Sequence, residues 1–207
     1  MKRAVVVGAG GQDGYYLTRL LKNNGYQIFS VTSDGDINIC DKHDINYLIA
    51  DVRPNELYHL AAFHHASEKH RSLSDLEEFE KSWQIHVLST LYILDAIRNS
   101  SPDTRMFYAG SSQMYGFPSS SIQNEDTPFN PNNIYGITKH AGLKICQFFR
   151  LNHNLFVAGG ILFNHESPRR GRSFVTRKIT SAISRIHYGV QECLHLGNLD
   201  AQRDWGH

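Results

Sequence analysis

The sequence predicts an α/β protein built on a doubly wound parallel sheet, with an incomplete carboxyl-terminal lobe. Three observations predict it. The chain opens on a short β-branched run, "RAVVVGAG", that breaks at glycines as a buried strand does when it turns sharply. Strand-like and helix-like segments alternate from there onward, the pattern of a parallel sheet covered on both faces. Glycines recur between the first strand and the first helix, where such sheets place a ligand-binding turn.

Along the chain, "GYYLTRLLKNNG" is the first helix, stopped by a glycine, and "YQIFSVTS" is the second strand. "DINIC" reads as a short strand or extended segment, "HDINYLIADV" as a helix and "ELYHLAAF" as the next strand. An amphipathic helix around "WQIHVLSTLYILDAIRNS" leads to the strand "RMFYAGSS", and the helix "IYGITKHAGLKICQFFRLN" leads to the strand "LFVAGGILFN". The helix "SFVTRKITSAISRIHYG" and the strand "ECLHLGN" complete the pattern. The turn-rich connection "GFPSSSIQNEDTPFNPNN" suits either a flap over a site or an irregular surface loop.

A chain of 207 residues holds one well-packed domain and a small second lobe. With 41% hydrophobic residues, 20% charged residues and a net charge of +1, it has no electrostatic footprint for nucleic acid or an acidic membrane. Cys40, Cys146 and Cys193 are far apart, which argues against a disulfide framework and for a reducing, cytoplasmic compartment. The amino-terminal apolar run is too short for a signal peptide, and no stretch approaches the roughly 20 apolar residues of a membrane span.

"GAGGQDG" spaces Gly8, Gly11 and Gly14 as G-x-x-G-x-x-G; the stricter G-x-G-x-x-G fails because Asp13 takes its last position. Glycines here let the backbone approach a pyrophosphate, which the amides at the helix start, Gln12 and Asp13 included, favour. The expectation is a Rossmann-like dinucleotide site over residues 1–163. The second strand ends "VTSDGD": Asp34 suits the ribose hydroxyls of NAD, or is a simple turn residue, and no arginine for an NADP phosphate lies nearby.

Tyr135 and Lys139 form Y-x-x-x-K on a predicted helix, so both project from one face. An ammonium beside a phenol favours the phenolate, which makes the tyrosine a base near neutral pH. With Ser111 at the end of a strand, the set suits removal of a hydroxyl proton as hydride leaves the same carbon.

"GAGGQDGYYL", "NELYHLAA", "YGITK", "GILFNHESPRRGRSFVTRKI" and "LGNLDAQRDWGH" make the chain resemble the extended short-chain dehydrogenase/reductase family, and within it the GDP-mannose 4,6-dehydratase branch. The resemblance implies oxidation of a GDP-sugar at C4, loss of water across C5 and C6, and return of the hydride at C6, with NADP as cofactor and NAD as the alternative. It implies that Gly8, Gly11 and Gly14 hold the pyrophosphate, Asp36 and Ile37 lie by the adenine, and Leu60, Ala61 and Ala62 line the cofactor. Ser111, Tyr135 and Lys139 would carry the oxidation, His165 and Arg170 would contact the cofactor, and Asn164, Lys178 and Arg203 would face the nucleotide sugar. It also implies a homo-oligomer, dimer or tetramer, with Arg169 and Arg170 in an assembly loop. Residues 164–207 would be part of a substrate-binding lobe that the family continues well beyond "RDWGH".

Two departures bear on the chemistry. The family's base for the C5 proton is a glutamate at the position of Gln113, and an amide is far too weakly basic for that task. This opens a second reading, a C4 dehydrogenase or epimerase, unless Glu125 or Asp126 substitutes. The family's basic residues after the second strand are also missing. A third reading, a non-catalytic truncated nucleotide-binding protein, follows from the short chain. His59, His64, His65 and His70 do not follow zinc-site spacing, so no metal is expected, and one or two of them are expected to line the pocket.

Overall fold

The structure is a computed structural model that describes residues 1–63 and 73–207. His64, His65 and His70 lie outside the described residues. Residues 1–63 and 73–162 form one compact unit and residues 163–207 a second.

The first unit holds β1 (Arg3–Val7), α1 (Gln12–Asn23), β2 (Gln27–Val31), α2 (Lys42–Val52), β3 (Glu56–His59), α3 (Asp75–Trp83), α4 (Ser89–Ser100), β4 (Arg105–Ala109), α5 (Ile134–His153) and β5 (Val157–Gly160). The five strands form one parallel sheet in the order β2-β1-β3-β4-β5. Strand alternation divides the core. Ala4 and Val6 pack with Leu21 of α1, while Val5 and Val7 join α2, α4 and α5 through Ile49, Ile93 and Cys146. One strand thus buries both faces, which is why its sequence is a continuous apolar run rather than an alternating one.

In the second unit, β6 (Asn164–His165) pairs with β7 (Trp205–Gly206), and α6 (Val175–His187) lies between them in sequence. "ECLHLGN" is not a strand; Gln191 folds back to donate to Cys193 O, and the ladder forms instead at Trp205 and Gly206. "DINIC" is neither strand nor fully extended: Asp36 lies in a bend, and Ile39 and Cys40 lie in a turn that Asp41 N–H closes by donating to Asn38 O at 3.0 Å. Its amides are taken by side chains: Asn38 Oδ1 accepts from Cys40 N–H at 3.0 Å and Asp44 Oδ2 from Asn38 N–H at 2.8 Å.

The helix expected around residue 83 begins earlier and is interrupted. α3 starts at a capping box in which Ser74 and Glu77 each accept from the other's backbone N–H. Between α3 and α4 the backbone widens into a π-helical turn, Gln84–Leu88, which turns His86 inward to zero exposure.

Candidate active site

The carboxyl edge of the sheet, at the strand-order reversal between β1 and β3, is where open α/β sheets bind ligands. Gly8 leaves β1 there at φ +89°, and a Cβ on it would stand 2.7 Å from Ala61 N. The backbone after β3, Leu60 to Ala62, therefore lies against the glycine turn, and Leu60 N–H donates to Val7 O at 2.9 Å. Gly11 caps α1 with no side chain in the capping position, its N–H bonded to Gly8 O at 3.0 Å. Gly14 is buried, and a Cβ on it would collide with Gly8 O and Ala9. Gln12 and Asp13 open the helix, with Gln12 Nε2 3.5 Å from Asp13 Oδ1. This tight, side-chain-free entry to a helix amino terminus fits the pyrophosphate of a dinucleotide. Asp34 and Asp36 stand exposed on the connection after β2, while Ile37 packs on the main core.

Ser111 follows β4, nearly buried, and its Oγ accepts from Gln113 N–H at 3.2 Å. That bond caps a 3-10 turn, Ser112–Met114, which leaves the Gln113 side chain exposed. The same turn is held against α5 because Gly136 has no Cβ to strike Gln113 O. α5 begins at Asn133, whose side chain accepts from Gly136 N–H at 2.8 Å, so Tyr135 sits in the first turn and Lys139 one turn on. Lys139 is 1% exposed, donates from Nζ to Ala109 O at 2.9 Å, and lies 5.8 Å from the Tyr135 ring centroid. Burial pushes its pKa down to about 7, opposed in part by the Cys146 thiol, which burial itself pushes up to about 12.

A buried polar network supports this pair, and sequence reasoning missed it. Phe63 N–H donates to His86 Nε2 at 3.0 Å, so the ring is neutral with its proton on Nδ1, which donates to Thr138 Oγ1 at 2.8 Å. Thr138 in turn donates to Ile134 O at 2.9 Å, and the His86 ring stands edge-on to Tyr135 at 5.2 Å. His86 thereby ties the segment after Ala62 to the helix carrying Tyr135 and Lys139. His59, fully buried, meets Ser89 Oγ at 2.9 Å; burial, and then the Lys139 charge, holds its pKa down to about 3. It thus stays neutral beside the lysine.

The second unit holds the remaining expected residues. Asn164 pairs with Trp205 and His165 with Gly206, and His165 Nδ1 is 2.7 Å from Phe163 O. Arg170 lies 3.3 Å from Glu166 and stacks on Phe174 at 3.7 Å. Lys178 is on α6, and Arg203 is exposed and donates to Gln202 O at 2.6 Å.

A parallel sheet with a glycine turn after its first strand and a Tyr-x-x-x-Lys helix beside its fourth defines the extended short-chain dehydrogenase/reductase fold. A protein of that fold from Pseudomonas aeruginosa, RMD, solved in complex with NADPH, matches 99% of this chain and 67% of its own at a TM-score of 0.81 and 23% identity. The sequence profile described as GDP-mannose 4,6 dehydratase matches residues 32–207, and the chain belongs to that family. It is 36% identical over 234 aligned positions to GDP-mannose 4,6-dehydratase of Yersinia enterocolitica, covering 100% of this chain and 61% of that protein. The human GDP-mannose 4,6 dehydratase is 35% identical, with 99% and 61% covered. The chain therefore spans about 61% of the length of these curated relatives.

Proposed function

We propose that this chain acts on a GDP-sugar as a nucleotide-sugar dehydratase of the GDP-mannose 4,6-dehydratase kind. The observation that carries the reading is Tyr135 and Lys139 one helical turn apart, with Lys139 anchored to the end of β4 and Ser111 just beyond that strand. A bound nicotinamide dinucleotide, NADP or NAD, supplies the hydride acceptor and donor. Gly8, Gly11, Gln12, Asp13 and Gly14 would hold its pyrophosphate, Asp36 and Ile37 its adenine end, and Leu60 to Ala62 its inner wall.

In the first step, Tyr135 takes the proton of the sugar hydroxyl at C4, the Lys139 ammonium stabilises the phenolate, and Ser111 orients the hydroxyl. Elimination then needs a base for the C5 proton. Gln113, exposed beside Ser111, can orient the sugar but cannot take that proton. Glu125 is the proposed substitute; its charge reaches Tyr115, next to the 3-10 turn, and contributes to raising that phenol's pKa after burial. In the second unit, Asn164, Lys178 and Arg203 are proposed to bind the nucleotide sugar, and His165 and Arg170 the cofactor.

Gln113 favours a second reading, a GDP-sugar C4 dehydrogenase or epimerase. Gln113→Glu separates the two. If elimination is slow for lack of a base, the variant raises the rate of water loss by about 100-fold or more, measured by product mass. An unchanged rate indicates that another group is already the base. Tyr135→Phe is expected to abolish both reactions, and turnover that survives it contradicts either reading.

Among the described residues no helix is long and apolar enough to cross a membrane. The three cysteines are free, which supports the reading of a cytoplasmic protein. Exposed Leu91 on α4, with Ile137 and Phe148 on α5, supports a homo-oligomer.

A further inference from the structure

We propose that the connection after β2 selects the unphosphorylated dinucleotide, with the Asp34 carboxylate accepting from the ribose hydroxyls that NADP would present as a phosphate. The proposal rests on the dinucleotide reading above and names which member of the class is bound.

The β1–β2 ladder runs in register to Val7 and Val31, so the two strands leave the sheet side by side. Gly8 N–H and Ala9 N–H both donate to Val31 O, at 2.9 and 3.2 Å, and a Cβ on Gly10 would lie 3.7 Å from Thr32 Cγ2. The residues after β2 therefore flank the glycine turn. Thr32 begins a tight turn in which Gly35 N–H donates to Thr32 O at 3.3 Å, and Asp34 stands exposed within it. It falls about 20 residues beyond the last turn glycine, the spacing at which doubly wound folds place an acid for the ribose.

The surroundings are acidic. Asp36 is also exposed, and Asp41 and Asp44 lie at the start of α2, where Asp41 caps the helix and Asp44 accepts from Asn38 N–H. Among the described residues, the cations of this half of the unit are engaged or distant. Lys42 pairs with Asp95 at 3.4 Å and Arg19 donates to the Tyr15 hydroxyl at 2.8 Å. Lys22 and Arg53 come at the far ends of α1 and α2, and His43 begins α2 behind Asp41. A 2′-phosphate carries about two negative charges and would be set against Asp34 and Asp36, whereas two hydroxyls donate to the carboxylate.

Calorimetric titration of the whole chain with NAD+ and with NADP+ tests this without substrate. NAD+ is expected to bind on the order of 100-fold tighter, the cost of like charges brought together. Asp34→Asn should narrow the ratio by weakening NAD+, and Asp34→Arg should bring NADP+ to parity or better; equal melting temperatures confirm that both variants fold. NADP+ binding as well as or better than NAD+ in the unmodified chain overturns the proposal, as does a ratio that neither variant moves. Binding of neither dinucleotide is a different result, since it contradicts the cofactor reading itself.

Discussion

A lysine buried to 1% exposure is costly to charge, and Lys139 shows how the site manages it. Folding pushes its pKa down to about 7 through burial, while the unfolded chain keeps it near the ordinary lysine value. Between those values the unfolded state holds a proton that the folded state has released, so this group's contribution to stability rises with pH. The stability of the chain relative to a Lys139→Met variant should therefore increase from pH 7 to pH 9, by up to about 1.4 kcal/mol per pH unit. Urea unfolding of both proteins at the two pH values measures it; parallel stabilities would show that the lysine keeps its ordinary pKa. His86→Phe removes an acceptor from Phe63 N–H and a donor to Thr138, and should cost about 1–3 kcal/mol of stability. It should also lower kcat by up to about 100-fold with little change in KM, because the Tyr135 helix loses its tie to the segment after Ala62. His86→Gln, which can both donate and accept, should recover part of each; full activity in His86→Phe would reduce the network to packing. The pairing of Tyr135 with Lys139 was legible in the sequence because their helical spacing is local, whereas Gln113 was singled out only by its place in the family pattern. His86 and Thr138 are 52 residues apart, and a neutral histidine bonded across that distance leaves no local signal.

At the scale of elements, the glycine turn and the segment after β3 work as one surface. Gly8→Ala puts a Cβ 2.7 Å from Ala61 N at a φ of +89°, so it should shift that segment and weaken dinucleotide binding by about 10-fold or more. Gly25 is the comparison: its φ is +76° but nothing lies within 4 Å of the added Cβ. Gly25→Ala should lose about 1 kcal/mol from backbone strain and leave binding unchanged, as calorimetry and thermal melting would show. Equal losses of binding would mean that the Gly8 contact is not specific to the site. β1 was readable because burial on both faces demands a continuous apolar run, here "RAVVV". α3 was missed although Ser74 and Glu77 spell its capping box, since its apolar residues are few and exposed. The π-helical turn and the β6–β7 ladder had no readable pattern. One adds a residue to a helix without changing its composition, and the other is two residues long, so tertiary contact decides both.

At the scale of the molecule, the chain belongs to the GDP-mannose 4,6 dehydratase family and sets a glycine turn and a Tyr-Lys pair along one edge of a single parallel sheet. The alternation of elements made that architecture legible from the sequence. What the sequence left open is whether the proposed elimination has a base, since Gln113 is an amide exposed beside Ser111. The proposed reading is oxidation at C4 by Ser111, Tyr135 and Lys139, with elimination completed by a carboxylate elsewhere in the site, because residue 113 is a glutamine. Its most direct test is the mass of the sugar nucleotide after GDP-mannose is incubated with the chain and either dinucleotide. Loss of one water, absent in Tyr135→Phe, is the predicted result; an unchanged mass with no reduction of either dinucleotide would contradict it.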